Sequence, residues 1–185
     1  MRLHDARPVL AMVLVLVLFA AACTASTPAG PGAKSGPERD LGWRAASLRD
    51  VRTGATFTIG DLRGKLVAIE PMAIWCSTCR IQQREAFAAI ASVASPDLAY
   101  IGVDVDPNEQ ADALAAYADR EGFSWTFVVA SPDTSRSLAA AFGDQVLSPP
   151  STPLILLAPD GTVVDVHFGI RRAEELAKLF KQYLP

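Results

Sequence analysis

The chain has 185 residues, half of them hydrophobic, and a formal net charge of −3 from 17 basic and 20 acidic side chains. With Arg2, Arg7 and Asp5 set aside as part of an N-terminal leader the charge becomes −4 and no long basic run remains, which excludes nucleic acid as an expected partner. Three cysteines and two histidines cannot build a zinc ribbon, which needs a second Cys-x-x-Cys or a His pair.

The first 22 residues read as an address. Arg2 and Arg7 form a positive start, and residues 9–22 are an apolar run too short to span a membrane comfortably, as in a secretory signal. The run ends in Ala20-Ala21-Ala22-Cys23, which resembles a bacterial lipobox, although Ala20 stands where Leu is most often found. The resemblance implies lipidation of Cys23; the alternative is ordinary cleavage after a small-x-small tail, with Cys23 incidental. Residues 23–40 are rich in Ser, Thr, Ala, Pro and Gly, bury too little to fold, and are expected to form a flexible tether. The remaining residues, 41–185, suffice for one domain with a single core.

Within that domain, residues 56–59 predict a short strand and 61–65 a turn into a buried strand at 66–69. A helical pattern follows the Trp75-Cys76-Ser77-Thr78-Cys79 stretch and runs to Val93. Residues 99–106 predict a second buried strand and 108–121 a helix, with Leu114 and Tyr117 inward and Gly122 as its stop. A third strand is expected at 125–130 and a short helix at 134–142 closed by Gly143. The Pro-rich loop 148–153 leads into a strand at 154–157, Pro159-Asp160-Gly161 is a turn signal, and 162–168 alternates as the returning strand. An amphipathic helix over 171–183 closes the chain. The order predicts an α/β sandwich with a mixed sheet flanked by helices. Asp104, Asp106 and Asn108 match the opening of a calcium loop, but Glu109 and Ala115 stand where Gly and Glu are required, so these acids are expected to end a strand and cap a helix.

The two cysteines carry the chemistry. Cys76 is placed at a helix N-terminus, where free N–H groups and the helix dipole favour a thiolate; cysteines in such settings titrate at about 3.5–7.5 rather than about 8.5. Cys79 follows one turn on, on the same face. The pair is thus able to open and close by exchange with another protein's disulfide or dithiol, and each unit of acidification of the first cysteine stabilises the reduced form by about 1.4 kcal/mol.

Asp61-Leu62-Arg63-Gly64-Lys65 before the central strand, Trp-Cys-x-x-Cys at the helix entrance, an inserted strand–helix unit, Thr152-Pro153 before the hairpin and Pro159-Asp160-Gly161 within it resemble the thioredoxin fold. They resemble in particular the TlpA/ResA/DsbE-like group of membrane-tethered bacterial thiol–disulfide oxidoreductases. The resemblance implies a thioredoxin-like sandwich with an N-terminal strand extension, no cofactor or metal, exported protein thiols or disulfides as substrates, and a membrane redox protein as donor or acceptor. It also implies a buried carboxylate at Glu70 that exchanges a proton with Cys79, a cis-proline at Pro153 facing the sulfurs, substrate main chain pairing with Thr152, and Trp75 on the rim. Departures are Ser77-Thr78 between the cysteines, Pro71 within the strand, and Gln82 where some cytochrome-maturation members have Glu. A copper-handling protein of the SCO type shares this fold and would use Cys76, Cys79 and His167 as ligands; here the cysteine spacing is two residues rather than three.

Overall fold

A computed structural model describes residues 41–185; the leader, residues 1–22, and the tether, residues 23–40 with Cys23, lie outside the described residues. Helix α1 (Leu41–Ala45) precedes a small hairpin of β1 (Leu48–Arg49) and β2 (Thr56–Phe57). The chain continues through β3 (Leu66–Met72), α2 (Ser77–Val93), β4 (Leu98–Asp104), α3 (Ala111–Glu121), β5 (Thr126–Val129) and α4 (Pro132–Phe142). It ends with β6 (Pro153–Leu157), β7 (Val163–Phe168) and α5 (Ala173–Tyr183). The main sheet has the order β5-β4-β3-β6-β7, with β3, β4 and β5 parallel and β6 and β7 antiparallel.

Alternation along the strands builds two cores. Leu66, Ala68 and Met72 of β3, Tyr100, Phe127, Leu154 and Leu156 face α2, α3 and α5, where Ala86, Leu114, Tyr117 and Phe180 meet them. Val67, Ile69, Ile101, Val103, Val128 and Ile155 face the other way, toward Trp43 of α1 and Leu138 of α4. Gly102 lies between Glu70 and Phe127 in register, and a Cβ there would stand 2.5 Å from the Phe127 ring, so only glycine lets that ring close over the strand. Beyond β4, β5 adds an edge strand, and the β1–β2 hairpin is tied to it through an Asp50–Val128 bridge.

Of the boundaries that differ from the sequence reading, three bear on the site and have a local cause. Ile59 opens a 3₁₀ turn, Ile59–Leu62, instead of extending the strand, because Thr58 and Asp61 form a reciprocal capping box. Strand β3 runs on through Pro71 to Met72; its ladder to β6 ends at Ile69, so the absent proline N–H interrupts no bond on that side. Helix α3 starts at Ala111 rather than Asn108, since the Asp106 carboxylate takes the Asn108 N–H and holds residues 106–109 in a turn. Asp106 therefore caps a turn and not the helix, whose cap residue is Gln110.

Candidate active site

Cys76 is the N-cap of α2, in extended conformation, and its sulfur accepts the Cys79 N–H at 3.1 Å. This is one of the donors that every helix start leaves unpaired, and in the reduced protein it would hydrogen-bond and stabilise a Cys76 thiolate. Cys76 and Cys79 form a disulfide with their Cα atoms 5.3 Å apart, inside the range a bridge requires. Cys79 is fully buried, while Cys76, at the helix entrance, keeps 2% of its surface exposed. The Cys79 sulfur lies 3.2 Å from the Pro149 carbonyl oxygen, to which a reduced thiol would donate, and the Thr78 hydroxyl approaches both the Cys76 sulfur (3.3 Å) and the Pro150 carbonyl (3.4 Å).

Those carbonyls belong to a 3₁₀ turn, Pro149–Ser151, that faces the first turn of α2 and ends in Thr152. Thr152 is buried with φ 51° and ψ 60°, a left-handed conformation that costs a β-branched residue about 1–2 kcal/mol. Its N–H donates to the Pro149 carbonyl at 2.9 Å, and its carbonyl takes the longer branch, 3.3 Å, of a forked bond from the Gly169 N–H. The backbone edge assigned to substrate by the resemblance is thus engaged by the loop itself. Pro153 opens β6, opposite Phe168 of β7.

Glu70 occupies the β3 position between Ala68 and Met72, the face that carries both cysteines, and is fully buried. The Tyr100 hydroxyl donates to its Oε2 at 2.7 Å, while Oε1 has no hydrogen-bond partner. Loss of water raises its pKa from 4.5 to about 8, against the smaller lowering effects of Tyr100 and Gln83. Gln83 is itself held by the Tyr117 hydroxyl at 2.5 Å. A carboxyl at about 8 matches the ordinary thiol value of about 8.5, the condition for passing a proton either way.

Trp75 is 59% exposed beside the disulfide, and its indole N–H donates to Asp106 at 2.6 Å. The Ile74 N–H donates to Glu109 at 2.8 Å. Sequence reasoning missed these acids as parts of the site, because they lie 31 and 35 residues from their partners; the only signal was an Asp-x-Asp repeat ending a strand. It also missed Gln83, and named Gln82 only as a departure from the resemblance; both are buried on α2, and the Gln82 side chain accepts the Arg171 N–H at 2.7 Å. His167, of the copper alternative, lies on β7 opposite Leu154, and among the described residues no group of three or more His, Cys, Asp or Glu side chains is placed to hold a metal ion.

A parallel central strand running straight into a Cys-x-x-Cys helix, with an antiparallel hairpin and a closing helix on the other side of that strand, defines the thioredoxin fold. Comparison with solved structures agrees. A thioredoxin-family thiol:disulfide interchange protein from Chlorobium tepidum aligns with a TM-score of 0.63 and 22% identity over 76% of this chain and 93% of its own. The dsbF protein of MTB, solved in mixed oxidized and reduced forms, gives 0.59 and 23% over 77% and 97%. A secreted disulfide oxidoreductase of Mycobacterium tuberculosis, homologous to E. coli DsbE, gives 0.58 and 16% over 79% and 98%. No protein-family model and no curated protein matches the sequence.

Proposed function

We propose that this chain is a thiol–disulfide oxidoreductase acting on exported proteins at the outer face of the cell membrane, held there by a lipid on Cys23, and working chiefly as a reductase. The observation that carries the exchange activity is the Cys76–Cys79 disulfide at the N-cap of α2, with the buried Glu70 on the same face of the sheet. The location rests on the leader sequence and the lipobox-like end at Cys23; one similar structure is of a secreted protein.

In the reducing direction the Cys76 thiolate attacks one sulfur of the partner's disulfide. That S–S bond breaks, the second partner sulfur leaves as a thiolate and takes a proton, and a mixed disulfide joins Cys76 to the partner. Cys79 passes its proton to the ionised form of Glu70 and attacks the Cys76 sulfur, which closes the internal disulfide and releases the partner's first sulfur, which takes up a proton. The partner has gained two electrons and two protons. A membrane redox protein then restores the dithiol, and run in reverse the same steps install a disulfide.

The direction is tested by equilibrating the chain with redox buffers and measuring its potential. A value near thioredoxin's, about −270 mV, supports a reductase; a value near DsbA's, about −120 mV, makes it a disulfide donor.

A further inference from the structure

The exchange chemistry uses one end of β3, and a cleft opens at the other. The cysteines follow the strand's last residue, Met72, whereas the cleft takes in Lys65 and Val67 at its start, so about 20 Å of strand separates the two. The cleft has a volume of about 500 Å³ and an apolar floor, lined by the buried Ile59, Val67 and Leu157. Its rim is charged. Arg44 of α1, Arg63 and Lys65 border it, and Lys65 Nζ donates to the Pro96 carbonyl, a neutral partner, at 2.6 Å.

The two arginines converge on Gly161. A Cβ on that residue would stand 3.6 Å from Arg44 Nη1 and 3.8 Å from Arg63 Cζ, so both guanidiniums close over the same glycine. Like charges gathered in this way repel, and an anion bound across them relieves the repulsion. Two planar forks aimed at one place match a phosphate, whose oxygens accept paired N–H bonds. A second cleft, of about 560 Å³, shares Arg44, Arg63 and Gly161 and is walled by Phe142 and the partly exposed Val166, so the arginine pair stands between two partly apolar hollows. Asp61 and Asp160 border the same clefts, where they accept the Thr58 and Thr162 N–H groups. Arg44, Arg63 and Lys65 outnumber them and leave this region net positive in a chain that is net negative.

The place of the cleft along the chain indicates which phosphate it meets. Arg44 lies in α1, directly after residues 23–40. Fully extended, those residues reach at most about 60 Å from Cys23. With Cys23 in the membrane the domain is confined to the membrane's neighbourhood, and effective concentration keeps even a weak lipid site occupied.

We propose that the cleft at the start of β3 receives an anionic phospholipid of that membrane, its phosphate on Arg44 and Arg63 and the start of its acyl chains against Ile59, Val67 and Leu157. Docked in this way, the start of β3 faces the bilayer and the Cys76 end faces away from it, toward exported substrates. The choice of a membrane lipid rests on the location proposed above; the affinity of the cleft does not.

The test titrates the full oxidised chain, by calorimetry, with dihexanoyl phosphatidylglycerol below its micelle concentration, beside dihexanoyl phosphatidylcholine and inorganic phosphate. The expected result is saturable binding of the phosphatidylglycerol. Phosphatidylcholine, whose headgroup carries its own cation, and inorganic phosphate, which has no apolar part, each bind at least about tenfold more weakly. Arg63→Gln, at an exposed position, weakens phosphatidylglycerol binding about tenfold through the loss of a charge-assisted contact. Arg44→Gln does the same; if it fails to fold for want of its stack on Trp43, 4.9 Å away, Arg63→Gln carries the test. The leader is common to parent and variants, so any lipid it takes up is the same in all of them. A parent with no saturable binding, phosphatidylcholine or inorganic phosphate bound as tightly as phosphatidylglycerol, or an affinity unchanged in Arg63→Gln overturns the proposal. A chain in which Cys23 carries no lipid would overturn the location without altering these affinities, and a failure of lipid binding would leave the location standing.

Discussion

Glu70 and Asp104 are both buried acids with pKa values raised to about 8, on adjacent parallel strands, yet they reach that state by different routes. Glu70 sits alone among apolar and aromatic side chains, and its hydrogen bond from Tyr100 pulls against desolvation. Asp104 stands at the strand's end, where desolvation is reinforced by other carboxyl groups. A lone carboxyl in a dry site is free to exchange its proton with a reacting group that reaches it, whereas one crowded by other carboxyls is kept neutral by their charge as well as by burial. The same raised pKa thus arises at one position against a hydrogen bond from Tyr100 and at the other with neighbouring carboxyls reinforcing burial.

The sharpest way to break this comparison is Glu70→Gln. Without a proton acceptor, resolution of the mixed disulfide slows by about 10²-fold or more, measured as turnover of a disulfide substrate. The same variant tests linkage. Glu70 keeps its proton when folded and loses it when unfolded between pH 4.5 and about 8, so stability falls by up to about 1.4 kcal/mol per pH unit as pH rises through that window. Asp104 adds to the slope between 3.8 and about 8. Denaturant unfolding at a series of pH values shows the slope reduced in Glu70→Gln and reduced again when Asp104→Asn is added.

Next in size is Gly102→Ala, which crowds Phe127 beside Glu70. It costs about 1–3 kcal/mol in denaturant unfolding, with no counterpart beside Asp104, where Met72 and Val129 already fill the register positions. Tyr100→Phe removes the hydrogen bond to Glu70 and costs about 1–2 kcal/mol. Because that bond lowers the Glu70 pKa, its loss moves the pH profile of exchange upward. The smallest effect is Asp106→Ala on the exposed loop, within about 0.5 kcal/mol in unfolding, although Trp75 loses its indole partner and its emission shifts.

Much of this was legible in the sequence, for local reasons. Cys76 and Cys79 follow an apolar strand and enter a helix, so their placement depends on neighbours within a few residues. Glu70 is a lone charge directly after the run Leu66-Val67-Ala68-Ile69, and strand alternation puts it on the face of Ala68 and Met72. The contacts of Asp106 and Glu109 were not legible, since their partners Trp75 and Ile74 come near only when β3 and β4 pair. Pro149 and Pro150 announced a rigid loop, but neither the 3₁₀ turn nor the left-handed Thr152 follows from proline content, because both depend on the packing of that loop against α2.

The central claim, that Cys76 attacks and Cys79 resolves, is tested most directly by trapping. Cys79→Ala incubated with a disulfide-bonded protein should accumulate a mixed disulfide through Cys76, while Cys76→Ala, whose remaining thiol is fully buried, should accumulate none. A covalent adduct formed by Cys79 in the Cys76→Ala variant but not by Cys76 in Cys79→Ala would contradict the assignment.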